Sequence, residues 1–158
     1  FKDALEQFKS VVNYDGGKLE AQYNKLNGAY EDSVEASEEI TDRVNAVESV
    51  ANALFKEWEK ELDQYTSASL RQNSANQLRD TKRSYATLIS KMRKAEQSVA
   101  PVLNVLKDNV LYLKHNLNAR AIGALKGELS SVDRNVQQLI AAMEASIRES
   151  DEFIKGLK

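Results

Sequence analysis

Apolar side chains recur every three or four residues along the segment from 19 to 65, with few interruptions. The positions of this stripe are Leu19, Tyr23, Leu26, Tyr30, Ser33, Ser37, Ile40, Val44, Val47, Ala51, Leu54, Trp58, Glu61 and Tyr65. Such spacing puts the stripe on one face of a long helix and is typical of a coiled-coil seam. Because one helix cannot hide so long a face from water, the pattern predicts a partner helix of similar length.

Similar spacing on both sides of this segment predicts an all-α chain. We expect four helices, a short first one and three long ones, over about 1–13, 18–65, 70–116 and 119–157. Hydroxyl groups in the Thr66–Ser69 turn can cap the third helix. Pro101 removes a backbone donor inside that helix and predicts a kink, because the apolar spacing continues across it. Short connections then predict an elongated antiparallel up-and-down bundle, a single domain over 1–158.

Composition agrees with a helical protein and narrows the chemistry. One proline and six glycines among 158 residues leave long stretches of good helix formers. The chain has no cysteine, which excludes disulfides, thiolate metal sites and cysteine nucleophiles. No run of about 18 apolar residues predicts a membrane span. The chain starts at Phe1 rather than Met, so any export signal would have been lost with the missing start.

Charge supports folding of the second helix against the third. Residues 18–65 hold 5 basic and 12 acidic side chains, whereas residues 66–117 hold 9 basic and 3 acidic ones. An antiparallel hairpin about the 66–69 turn pairs residues whose numbers sum to about 135. This register puts acidic and basic residues opposite each other, with Glu38 and Asp42 near Arg93 and Lys94, and Glu57 and Glu61 near Arg79 and Arg71. Exposed pairs of this kind select orientation more than they add stability.

Two charged runs have competing interpretations. The cations at Arg79, Lys82, Arg83, Arg93 and Lys94 resemble the footprint of a nucleic-acid or anionic-membrane site. Pairing with the acidic helix is the stronger reading, because the net charge is −2 and no aromatic residues alternate with the cations. A carboxylate-rich metal site between residues 31 and 42 is disfavoured because no Glu-x-x-His occurs. We predict no metal, no cofactor and no nucleic-acid partner.

The bundle end formed by the 13–17 and 114–120 turns is the first candidate site. Up-and-down topology brings these two turns together and gathers polar side chains at Tyr14, Asp15, Tyr23, Tyr112, Lys114, His115, Asn116, Asn118 and Arg120. His115 as a base oriented by Asp15, with Arg120 holding an anion, is the enzymatic reading. A small anionic ligand is the binding reading. The structural reading is that these groups cap helix ends.

An apolar tip is the second candidate site. The first and fourth helices are too short to cover the upper part of the hairpin, since the fourth reaches only to about residue 79 of the third. The second helix is nevertheless broadly apolar there, at Val50, Ala51, Leu54, Phe55, Trp58 and Leu62. Either a partner covers these side chains, as a second copy or an upstream segment would, or they belong to an ordinary core.

Three stretches carry a resemblance to a known family. They are Val12–Tyr23 (VNYDGGKLEAQY), Leu54–Glu59 (LFKEWE) and Leu111–Ile122 (LYLKHNLNARAI). The chain resembles an uncharacterised, mainly proteobacterial domain-of-unknown-function family over its whole length. This resemblance implies export, often of lipoprotein type, and a further helical segment before Phe1. It implies no known activity and transfers no catalytic residue.

Taken together, these patterns favour a non-enzymatic helical scaffold or protein-interaction module of the bacterial cell envelope or periplasm, with self-association or a protein partner at the tip. The location follows from the resemblance alone, and a cytoplasmic location is compatible with the sequence. One alternative is binding of a small anionic ligand, or catalysis, at the bundle end. A second alternative is association of a curved bundle face with a membrane surface.

Overall fold

Helices make up most of the residues that the structure describes. The structure is a computed structural model and describes residues 1–13 and 19–157, with the side chains of residues 119 and 157 left out. Its helices are α1 (Lys2–Val12), α2 (Leu19–Leu62), α3 (Ala68–Gln97), α4 (Val99–His115) and α5 (Ala119–Leu157). The described ranges contain no strand. The prediction of an all-α helical bundle is therefore confirmed.

The third predicted helix is divided, which corrects the prediction of one kinked helix over 70–116. The interruption is confined to Ser98, whose own backbone angles are helical (φ −75°, ψ −10°). Pro101 consequently lies in the first turn of α4, where backbone N–H groups have no intrahelical acceptor. Placing a proline there removes no α4 hydrogen bond, whereas an uninterrupted helix would lose the bond to the Gln97 carbonyl.

The connection between α2 and α3 uses the cap that the sequence suggests. At the end of α2, the Asp63 and Gln64 N–H groups bond the Lys60 and Glu61 carbonyls, which tightens the last turn. The Ser67 hydroxyl then accepts a hydrogen bond from the Leu70 N–H at 3.2 Å. This contact is an N-cap for α3 and confirms that a hydroxyl of the 66–69 turn caps the helix.

The described chain packs as two compact units. The first unit comprises Phe1–Ile40 and Glu96–Ala141, and so contains α1, α4 and the first parts of α2 and α5. Its core includes the largest fully buried side chains of the described residues, namely Phe8, Val11, Leu26, Val102, Leu106, Leu113, Leu125, Val132, Val136 and Leu139. The short α1 buries the face that its spacing predicts, at Ala4, Leu5, Phe8, Val11 and Val12. The single domain predicted for 1–158 stays a prediction.

The second unit comprises Thr41–Ala95 and Ala142–Lys158, and so contains the rest of α2, most of α3 and the end of α5. Its buried side chains are fewer, namely Val44, Phe55, Ser74, Leu78, Leu88 and Ala95. Within this unit α2 and α3 run antiparallel, since Trp58 contacts Ser74 while Glu48 contacts Arg93. Phe153 of α5 lines a pocket with Asp80 and Thr81, which agrees with the predicted reach of the last helix.

Candidate functional site

An apolar groove opens along α2 in the second unit. Its volume is about 370 Å³, and its lining exposes only apolar atoms. The lining residues are Ala46, Val47, Val50, Ala51, Leu54, Phe55 and Trp58 of α2, Thr81, Tyr85 and Leu88 of α3, and Phe153 of α5. The α2 wall follows the 3-4 spacing of the seam, so the same pattern that packs a helix also builds this groove.

The tip residues divide into packed and exposed side chains. Val50 is 68% exposed and Leu54 is 54% exposed, whereas Phe55 is only 7% exposed. Trp58 and Leu62 are half-buried. The expected surface is therefore narrower than the sequence suggests, because Phe55 belongs to the core while Val50 and Leu54 remain in contact with solvent.

Phe55 is held by an aromatic pair. Its ring and that of Tyr85 meet edge to face, with centroids 5.5 Å apart and an interplanar angle of 70°. The Lys82 ammonium lies 5.9 Å from the centroid of the Phe55 ring, within reach of a cation–π contact. These contacts fix the floor of the groove, because edge-to-face pairs add to the stability gained by burial.

Trp58 is anchored at its polar end. Its indole Nε1 donates a hydrogen bond of 2.8 Å to Oγ of Ser74, which is itself buried. A buried indole N–H without an acceptor is costly, so this bond fixes which edge of the ring faces the groove. Trp58 thus contributes a positioned apolar face rather than a freely rotating side chain.

Ion pairs flank the groove in a register that corrects the prediction. Arg93 donates to Glu48 at 2.8 Å and to Asn45 at 3.0 Å, and Lys82 pairs with Glu59. The numbers of both ion pairs sum to 141, against the expected value of about 135. Helical side chains lean toward the N-terminus of their own helix, so in an antiparallel hairpin two long side chains meet at a higher sum than the facing backbone positions.

The arginines nearest the turn have other roles than the predicted pairs with Glu57 and Glu61. Arg71 donates to the carbonyls of Leu62 at 3.0 Å and Tyr65 at 3.4 Å. The Leu62 carbonyl lies in the last turn of α2 and the Tyr65 carbonyl in the connection after it. Carbonyls at a helix end lack helical partners, so Arg71 acts as a C-terminal cap. Arg79 contacts Asn76 and Asp80 on its own helix.

The Tyr85 hydroxyl is an exception among the contacts around the groove. It is buried and has no hydrogen-bond partner among the described residues. Burial raises the pKa of Tyr85, the Glu48 carboxylate raises it further, and the Arg93 guanidinium lowers it. The neutral hydroxyl is therefore favoured in the folded protein.

The first candidate site, at the 114–120 turn, contains helix caps. The Asn116 side chain donates to the Tyr112 carbonyl at 2.9 Å, and Asn118 Oδ1 accepts from the Ala121 N–H at 3.0 Å. Lys114, His115 and Arg120 are exposed, and Tyr23 is half-buried. Tyr14 and Asp15 lie outside the described residues, so their approach to His115 stays a prediction.

The described part of the chain has neither a metal-binding cluster nor a membrane-spanning helix. No group of three or more His, Cys, Asp or Glu side chains in residues 1–13 and 19–157 is arranged to hold a metal ion. None of the helices described there has an apolar stretch long enough to cross a membrane.

The fold and the groove define an all-α helical protein with an apolar surface site. Residues 1–157 match the family described as protein of unknown function (DUF2959), and the chain belongs to this family. No curated protein and no solved structure matches it. The resemblance to a domain-of-unknown-function family is confirmed at this level.

Proposed function

We propose that the protein is a non-enzymatic helical interaction module whose apolar groove binds an apolar face of a partner helix. The exposure of Val50 and Leu54 beside a groove lined only by apolar atoms carries this proposal. Contiguous apolar surface is costly to keep in water and marks interaction sites on monomeric proteins. The Trp58 and Phe153 rings in the lining are the kind of anchor that dominates such contacts.

The shape of the groove favours a helix as the bound element. Val47, Val50, Leu54 and Trp58 form a ridge at 3-4 spacing, and Tyr85 and Leu88 line the opposite wall. Ridges of one helix fit grooves between the side chains of another at this spacing. A partner helix with apolar residues at i, i+3, i+4 and i+7 would match it.

Light scattering coupled to size-exclusion chromatography tests a second copy as the partner. Self-association gives a mass above 17.7 kDa that returns to the monomer value in Leu54→Glu. Leu70→Glu is the matched control, because Leu70 is 57% exposed in the same unit but does not line the groove. If the self-associated species disappears in both Leu54→Glu and Leu70→Glu, self-association does not depend on the groove in particular, which would contradict the proposal.

A different protein is the partner if the chain is monomeric at every concentration. A benzophenone amino acid at position 54 should then give one defined cross-linked product in the source cell, and position 70 should give none. The absence of any product at position 54 in a monomeric protein would overturn the proposal. Phe55 and Trp58 are unsuitable test positions, because their contacts with Tyr85 and Ser74 hold the unit together.

The proposal includes a location in the bacterial cell envelope, which the resemblance of the 12–23, 54–59 and 111–122 segments supports. In this role the module acts as a scaffold for other envelope proteins. Fractionation of cells that express the full-length protein should recover it with envelope or periplasmic markers. Recovery with cytoplasmic markers would contradict the location and leave the groove proposal to its own test.

A further inference from the structure

The exposed face of α2 beside the groove carries opposite charges at its two ends. Val50 and Leu54 form the apolar middle of this face and are 68% and 54% exposed. Arg43 lies seven residues before Val50, and Glu61 lies seven residues after Leu54. Seven residues are about two helical turns, so all these side chains lie on the same face of α2. The face therefore runs from a cation through an apolar patch to an anion, with equal spacing on both sides.

Neither terminal charge of this face is neutralised by the described part of the chain. Arg43 and Glu61 are exposed, and neither forms an ion pair with any described residue. Arg71, the partner that the sequence predicts for Glu61, bonds the carbonyls of Leu62 and Tyr65 instead. Both charges therefore remain available to a molecule that covers the apolar patch.

A second copy of α2, laid antiparallel on this face, would match it in both apolarity and charge. A twofold axis midway between Val50 and Leu54 places each of these side chains against the other one of the second copy. The equal spacing then places Arg43 of each copy against Glu61 of the other, which gives one ion pair at each end. Glu57 lies one turn before Glu61 and adds to the attraction for Arg43. A parallel pair would set Arg43 against Arg43 and Glu61 against Glu61, so the charges select the antiparallel arrangement.

We propose that the partner helix is α2 of a second copy of this chain, packed antiparallel along the face from Arg43 to Glu61. This inference rests on the proposed function, because it names the helix that the apolar groove binds. A twofold interface uses the same surface twice, and this face supplies both halves of such a contact. Burial of Val50 and Leu54 drives the association, while the terminal charges fix its direction and register. An apolar dye reaches the groove in the dilute monomer and competes with the second copy at higher protein concentration.

Charge reversal and rescue test the pairing, with light scattering of the full chain over a concentration series as the measurement. The wild-type protein should reach a mass of about twice 17.7 kDa. Arg43→Glu should raise the dimer dissociation constant by at least about tenfold, because it creates a like-charge contact at each end of the interface. Arg43→Glu/Glu61→Arg should recover most of this loss, because both partners of each ion pair are then reversed. In a parallel dimer the double variant would not recover it.

Two further variants control for net charge. Arg83→Glu makes the same charge change at an exposed position of α3 that does not line the groove, so it should dimerise like the wild-type protein. Arg43→Glu/Glu144→Arg restores the wild-type net charge through an exposed acid of α5 outside the groove, so it should dimerise as weakly as Arg43→Glu. All four substituted side chains are exposed, so the helical circular dichroism spectrum should be the same in every variant.

The outcomes separate this inference from the proposed function. A wild-type chain that stays monomeric at every concentration would overturn the second copy as partner, while a defined cross-link from position 54 to another protein would still support the groove proposal. A dimer that Arg43→Glu leaves intact would overturn the ion pairs. A double variant that dimerises no more tightly than Arg43→Glu would overturn the antiparallel arrangement.

Discussion

The two units differ in how completely they bury the same kind of seam. In the first unit four helical segments surround side chains such as Leu106 and Leu113, which have no exposed surface. In the second unit three segments leave Val50 and Leu54 largely in solvent. The apolar spacing along α2 barely changes between the units, so the number of neighbouring segments decides whether a stripe becomes a core or a surface.

Charge placement differs in the same way. Across the α2–α3 pair of the second unit, Arg93 meets Glu48 and Lys82 meets Glu59. In the first unit, Asp108 of α4 and Glu128 of α5 line one cleft, and both are exposed. Opposite charges across a helix pair favour one orientation, although exposed pairs add little stability. The second unit thus departs from a simple bundle by its exposed apolar surface.

The largest effect is expected from matched leucine truncations in the two units. Leu106→Ala should lower the free energy of unfolding by about 3 kcal/mol, because it leaves a cavity in a closed core. Leu54→Ala should change it by less than about 0.5 kcal/mol, because that side chain is already exposed. Urea unfolding followed by circular dichroism measures both values. Similar losses in the two variants would break the comparison between the units.

A smaller effect tests the anchor of Trp58. Trp58→Phe removes the donor to the buried Ser74 hydroxyl and should cost about 1 to 1.5 kcal/mol through the lost hydrogen bond, in addition to the change of ring size. In a double-mutant cycle with Ser74→Ala, the coupling energy should be about 1 kcal/mol. Additive effects would show that the bond does not position the indole ring.

The smallest effect concerns the Tyr85 hydroxyl. Tyr85→Phe should raise the free energy of unfolding by up to about 1 kcal/mol at neutral pH, because a buried hydroxyl without a partner is removed. The pKa of Tyr85 is raised in the folded state. Ionisation of this residue therefore leaves the free energy of unfolding unchanged below the unfolded pKa of about 10 and lowers it as pH rises above that value. In unfolding experiments at increasing alkaline pH, the free energy of unfolding should therefore fall less steeply with pH for Tyr85→Phe than for the wild-type protein. A lower free energy of unfolding in Tyr85→Phe would contradict the prediction, because it would show that the Tyr85 hydroxyl has a hydrogen-bond partner.

Local patterns in the sequence predict most of the fold. The buried face of α1, the antiparallel α2–α3 pair and the Ser67 cap all follow from spacing and turn chemistry. The division at Ser98 was also readable, since a proline suits the first turn of a new helix. The partners in the ion pairs were not predicted correctly, because the lean of long side chains along the helices shifts which residues meet.

The candidate sites were less predictable than the fold. Exposure of Val50 and burial of Phe55 depend on their angle around α2 and on the Tyr85 ring, which spacing alone does not give. A cleft that Asn109 lines between α4 and α5 was missed, although a polar residue three positions after Leu106 in an apolar seam is a usable signal.

Fluorescence of an apolar dye tests the open groove of the second unit most directly. Trp58 is the only tryptophan in the chain and lines the groove, so energy transfer from it reports dye bound in its neighbourhood, and the two variants below test whether that dye occupies the groove. We expect dye emission on Trp58 excitation in the native protein, strong loss of it in Leu54→Glu and no loss in Leu70→Glu. No emission from the native protein, or equal signals from the two variants, would contradict an accessible apolar binding groove in this unit.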